Sequence, residues 1–173
     1  LLAESANRTK KGGQELIGGL DVRVNRNHFG RQIESFQANL DLPFLADVRG
    51  LPGGSFPGIF IRAPIVERIL PNMEGVQKDE QAVEGTIVAP SRQVADDQAR
   101  RATSREVKVM ASLAGRLKQA GEAGPKMNAE TEIGDIIAVQ QGNVFGTSFH
   151  PELSNDIRIH VWWLLQVLER RNS

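Results

Sequence analysis

Apolar and polar residues alternate in two short runs, Leu20–Val24 (LDVRV) and Val107–Leu113 (VKVMASL), and a period of two predicts half-buried strands there. The run Asp135–Phe149 (DIIAVQQGNVFGTSF) reads as two more strands joined through Gln141, Gly142 and Asn143, a hairpin turn. Residues Phe36–Phe44 form an extended piece. Gly58–Val66 (GIFIRAPIV) predicts a short strand that ends at its proline, which cannot donate to a ladder. At the end of the chain Ile157, Val161, Leu164, Leu165 and Leu168 recur at helical spacing, with Ser154 as N-cap and Asp156 in the first turn, so this helix should lay one face on a sheet. The opening LLAES is helix-compatible and KKGG breaks it. Two polar stretches, 71–105 and 115–132, read as surface insertions.

Composition narrows the classes. A chain of 173 residues buries about two thirds of its unfolded surface and fits one domain, 1–173. Twenty-one basic and 21 acidic residues cancel, so no long-range field favours nucleic acid or an anionic membrane. The absence of cysteine excludes disulfides, a thiolate zinc site and a thiol nucleophile within these residues. VWWLLQVL is too short to span a bilayer and nothing reads as a secretory signal; a soluble, cytoplasmic protein is expected. Opening inside an apolar segment, without methionine, the chain reads as the continuation of something upstream.

Candidate chemistry gathers at His150-Pro151-Glu152. Proline disfavours the helical region for His150 and fixes its own φ. In an extended chain, residues two apart share a face at about 6.6 Å, a gap glutamate can close to accept a proton from one imidazole nitrogen. That is the base half of a nucleophilic triad. Ser148 shares the face but is too short to reach His150. Spacing alone leaves a second reading open, in which His150 ends a strand and Glu152 leads into the helix. His28 and His160 are weaker candidates, and three scattered histidines make no metal site.

Three blocks in order, GLDVRVNRNHFGRQIESF, GIFIRAP and AVQQGNVFGTSFHPELSNDIRIH, resemble the glutaminase subunits of pyridoxal 5'-phosphate synthases, a family of class I glutamine amidotransferases. SFHPEL marks the superfamily; RNHFGRQ with FIRAP is more specific. The resemblance implies an α/β fold, a three-layer α/β/α sandwich of flavodoxin-like type with a mostly parallel central sheet, here without its N-terminal strands. It implies a cysteine about five residues before Leu1, at the start of a helix running into LLAES, with an oxyanion loop further upstream. LPGGS, 51–55, imitates that loop, but it stands in the wrong place and is read as an ordinary turn.

The same resemblance implies hydrolysis of L-glutamine to glutamate and ammonia. His150 would move protons and Glu152 would hold the imidazole, while Arg26, Ile61 and Arg62 match glutamine-binding positions. Without the family, Arg26 reads as a surface ion pair and Arg62 as a strand-end cap. The implied partner is the synthase subunit that receives the ammonia. No cofactor is implied, since pyridoxal phosphate is the product of the complex, and no nucleic acid or membrane. Gln37 departs from the pattern, where an acidic residue is common, and the long insertions resemble fungal members. Two alternatives stand beside this reading: a non-catalytic module that only binds the synthase, and the glutaminase of another class I enzyme, such as that of histidine biosynthesis. ARRATSRE, 99–106, resembles a basophilic kinase site or a solvated face.

Overall fold

The computed structural model describes residues 1–8, 15–26, 35–48, 50–71, 76–90, 106–113 and 135–171. Strands β1 (Ala3–Asn7), β2 (Leu20–Asn25), β5 (Ile65–Ile69), β6 (Thr86–Val88), β7 (Lys108–Leu113), β8 (Asp135–Gln141) and β9 (Val144–Thr147) form one mixed sheet. Its order is β6-β1-β2-β5-β8-β7, with β9 also paired to β8. Strands β3 (Ser35–Leu40) and β4 (Phe56–Ile61) form a separate antiparallel pair. Two helices accompany the sheets among the described residues, α1 (Val76–Gln81) and α2 (Arg158–Arg171).

The expected alternation of LDVRV is realised: Leu20, Val22 and Val24 are buried, and Asp21 and Arg23 face the other way. VKVMASL yields β7 and the hairpin β8–β9 turns at Gly142-Asn143, where Gly142 takes a positive φ of 55° that glycine permits. The core forms two clusters. One gathers Phe56 and Phe60 of β4 with Leu40, Leu45, Ile137, Phe149 and Ile159. The other packs β1, β2 and β5 through residues such as Ala6, Val22 and Val66.

Several expectations are corrected. The α/β class holds, but the sheet is not mostly parallel. Only β1–β2 pair in parallel among the described residues, against five antiparallel pairings in the same sheet. A two-residue turn accounts for β8–β9, since it reverses the chain where a parallel return would need a long crossover. LLAES is not helical: Ala3–Asn7 is a strand held between β2 and β6, with Ala3 to Ala6 all buried. A short run buried on both faces carries no period, and tertiary pairing overrides the helix propensity of Leu, Ala and Glu. GIFIRAPIV holds one strand and the start of another, β4 ending at Ile61 and β5 starting at Ile65 after the proline.

Part of the stretch expected as a surface insertion belongs to the fold. Strand β6 pairs with β1, and Glu80 of α1 is buried where it accepts hydrogen bonds from Ser5 Oγ (2.7 Å), Arg23 Nη1 (3.0 Å) and Arg68. Residues 72–75 and 91–105 of that stretch, the whole of 115–132, His28 with most of RNHFGRQ, and all but the last residue of the kinase-like run lie outside the described residues.

Helix α2 forms where the spacing places it, with Val161 and Leu165 of the expected stripe facing inward and the rest of that stripe exposed. Arg158 and Ile159 are buried, and Val161, Trp162 and Leu165 pack on the first cluster. Ile157, just before the helix, is 60% exposed, and Leu164 and Leu168 on it are 60% and 53% exposed. Its cap is Asp156, whose Oδ1 accepts from the Arg158 N–H at 3.0 Å, whereas Ser154 belongs to the preceding turn.

Candidate active site

Strand β9 delivers the chain to the site. The Ser148 N–H donates to Ile137 O at 2.8 Å, and Phe149 is buried between Phe56 and Phe60, its ring centroid 5.8 Å from each. The His150 N–H then donates to Ile59 O of β4 at 2.8 Å. Pro151–Leu153 follow as a single 3-10 turn, a place where proline's fixed φ fits and its missing N–H costs nothing.

That turn corrects the geometry expected of the tripeptide. It is wound, with a rise of about 2 Å per residue, so His150 and Glu152 meet more closely than on a strand. The Nδ1 of His150 lies 2.8 Å from Oε1 of Glu152. The hydrogen bond with His150 holds the Glu152 carboxyl below its ordinary value of 4.5. An ionised Glu152 fixes the proton on Nδ1 and leaves the Nε2 lone pair to take another. Both side chains are substantially exposed, so the pair faces solvent.

Two of the other candidates, Ile61 and Arg62, reach this region through the backbone. Ile61 ends β4 two residues after the Ile59 carbonyl that holds His150, and Arg62 follows with φ 47°. A left-handed backbone at a non-glycine residue is an uncommon, strained conformation found preferentially at functional sites. Arg26 follows β2, its N–H donating to Asn7 Oδ1 at 2.7 Å, and its Nη1 is buried without a hydrogen-bond partner among the described residues. A buried guanidinium nitrogen left unpaired carries a desolvation cost that an anionic ligand would relieve.

An apolar cleft of about 300 Å³ runs between these segments, lined in part by Val24, Pro64 and Ser148. Arg26, Arg62 and His150 each lie two residues from one of those three. Arg26, Arg62 and His150 themselves are not among the residues that line it. Among the described residues no group of His, Asp and Glu side chains is gathered to hold a metal ion.

One cluster was missed from the sequence. The Arg158 guanidinium donates to both carboxylate oxygens of Asp156 and to the carbonyls of Gly54 (2.9 Å), Ser55 (2.7 Å) and Pro52 (3.4 Å). These hydrogen bonds hold the Asp156 carboxyl below its ordinary value. LPGGS is therefore a turn whose carbonyls face an arginine. The only sequence signal was the Asp-x-Arg spacing at a helix start.

An imidazole–carboxylate pair thus stands just past the end of β9 in a mixed α/β sheet. The model of the SNO glutamine amidotransferase family matches residues 2–99 and 107–169, and the chain belongs to that family. It is similar to the probable pyridoxal 5'-phosphate synthase subunit PDX2 of Arabidopsis thaliana, 38% identical over 97% of this chain and 54% of that protein. It is also similar to the pyridoxal 5'-phosphate synthase subunit PdxT of Methanosarcina acetivorans, 32% identical over the same shares. A crystal structure of a glutamine amidotransferase superposes with a TM-score of 0.50 at 29% identity, covering 95% of this chain and 53% of that one. The chain spans about half the length of these relatives.

Proposed function

We propose that this chain is the proton-transfer and substrate-binding part of a glutaminase that releases ammonia from L-glutamine for a pyridoxal 5'-phosphate synthase. The observation that carries the reading is the 2.8 Å contact of His150 Nδ1 with Glu152, which frees Nε2 for chemistry. The names of the relatives supply the pathway, and a cytoplasmic location goes with it.

In this reading a thiol from polypeptide outside the 173 residues gives its proton to His150 Nε2 and attacks the glutamine carboxamide carbon. The imidazolium, stabilised by Glu152, returns that proton to the leaving nitrogen, and ammonia departs from a thioester. His150 then takes a proton from water, whose oxygen attacks the thioester; glutamate leaves and the thiol regains its proton. Arg26 and Arg62 suit the substrate carboxylate, since a planar fork bonds both oxygens. Ile61 contributes backbone and shape. The orphaned Nη1 of Arg26 supports this part of the reading.

Glutamate release by the product of the complete reading frame, assayed with its synthase partner, tests the reading against His150→Asn. Loss of turnover of about 100-fold or more is expected from removing a general base; undiminished turnover would refute it. Because the chain has no cysteine, a non-catalytic module that docks on the synthase is the second reading. Synthase binding without glutamate release from the complete product would select it.

A further inference from the structure

Resting on the glutaminase reading, we propose that Arg158 is a positioning residue that sets the spacing between the His150–Glu152 turn and the substrate-binding end of β4. Its side chain is buried, and its guanidinium faces the Phe56 ring at 5.8 Å as well as its oxygen partners. An ion pair with Asp156 alone would need only one edge of the fork. Here the remaining N–H groups reach three carbonyls of the loop that leads into β4. Only a rigid planar donor set serves a carboxylate and several carbonyls at once.

The contacts close a ring. From His150 the 3-10 turn carries the chain to Pro151 O, which accepts from Ser154 Oγ at 2.9 Å. The same Oγ accepts from the Asp156 N–H at 3.3 Å, and Asp156 holds Arg158. Arg158 grips Ser55, the residue before β4, and Ile59 of β4 accepts the His150 N–H. Without the guanidinium, only the His150–Ile59 hydrogen bond and the packing of Phe149 between Phe56 and Phe60 remain to set the distance from the imidazole to Ile61 and Arg62. A displacement of about 1 Å at a reacting centre costs about 100-fold in rate. Substrate held by Arg62 moves with β4, so the loss should fall on kcat and spare KM.

The test compares Arg158→Gln, Arg158→Lys, Ser154→Ala and His150→Asn in the complete gene product with its synthase, each kcat normalised to the folded fraction. Arg158→Gln should lower kcat about 10- to 100-fold with glutamine KM little changed. Arg158→Lys keeps a positive charge beside Asp156 but cannot span the three carbonyls. It should recover the melting temperature without recovering kcat, a split that a purely structural ion pair would not produce. Ser154→Ala, which removes one hydroxyl from the other arm of the ring, should lower kcat several-fold and guards against an arginine variant that fails to fold. Wild-type kcat in Arg158→Lys beside an inactive His150→Asn overturns the proposal alone. Wild-type turnover in His150→Asn overturns the glutaminase reading and this proposal with it.

Discussion

Replacing Glu80 by Gln tests how the segment 76–90 is held to the sheet. The Glu80 side chain is 5% exposed and accepts from Ser5, Arg23 and Arg68. Arg23 and Arg68 face each other across β2 and β5, so without the carboxylate two positive charges oppose each other. Breaking a buried ion pair costs about 3–5 kcal/mol. Three circumstances reduce that figure: glutamine keeps a neutral acceptor for Ser5, Arg23 keeps Glu67 at 3.0 Å, and Arg68 is more than half exposed and so screened. A loss of about 2–3 kcal/mol remains, which at an m-value of about 2 kcal/mol/M moves the urea midpoint down by roughly 1 M.

The pH dependence supplies a second check on Glu80. Burial pushes its carboxyl up, but the hydrogen bonds from Ser5 and Arg23 and the charges of Arg68 and Arg23 outweigh burial and hold it below the ordinary 4.5. A folded-state value below the unfolded one means the contribution is complete above about pH 4.5 and is lost as pH falls through the folded value. The gap between wild type and Glu80→Gln should therefore be widest at neutral pH and close in acid. A midpoint change worth less than about 0.5 kcal/mol, or a gap that widens in acid, would refute the reasoning.

Gly58→Ala should destabilise the chain by about 1–3 kcal/mol in urea melts, because the added Cβ would lie 2.4 Å from Leu40 Cδ1 in the core; an unchanged midpoint would contradict it. Arg62→Gly should leave stability unchanged or raise it by up to about 1 kcal/mol by relieving the left-handed backbone, while glutamine KM in the complete enzyme rises at least about tenfold. Equal KM values would remove Arg62 from the substrate site. In Glu152→Gln, nitrogen-15 NMR of His150 should show the Nδ1–H tautomer losing its dominance, since a neutral amide no longer demands a donor; an unaltered tautomer ratio would show that the carboxylate does not set it.

What the sequence made legible follows burial. Strand β2 was readable because it shows one face to the core, which stamps a period of two on the residues, and the β8–β9 hairpin through its glycine turn. Strand β1 was not, because Ala3 and Ala6, with the polar Glu4 and Ser5, are buried on both faces and erase the period. Helix α2 was readable as a helix but not in its rotation. Apolar residues run nearly all round it, so the exposed Ile157, Leu164 and Leu168 were read into one stripe with the inward Val161 and Leu165, and the inward Ile159 and Trp162 were left out. At the site, the spacing of His150 and Glu152 was legible and the wound turn between them was not, since proline suits an extended chain and the first residue of a 3-10 turn equally. Arg158 was hidden because its partners lie more than 100 positions away.

The ties that shape the imidazole turn are all local to this chain. Every contact of the ring lies between Pro52 and Arg158, and the two phenylalanines flanking Phe149 belong to β4. The imidazole–carboxylate pair therefore needs no other segment to set its own geometry. What it lacks within 173 residues is a reacting group, since no cysteine is present. A preformed base whose free nitrogen faces solvent has no consequence until a nucleophile and a bound carboxamide stand beside it. On the glutaminase reading, rate should accordingly depend on how closely polypeptide carrying the thiol docks beside His150. Substitutions inside the Arg158 ring act on one side of that meeting, and substitutions in the docking polypeptide act on the other. Double-mutant cycles across the two sides should show coupling in kcat.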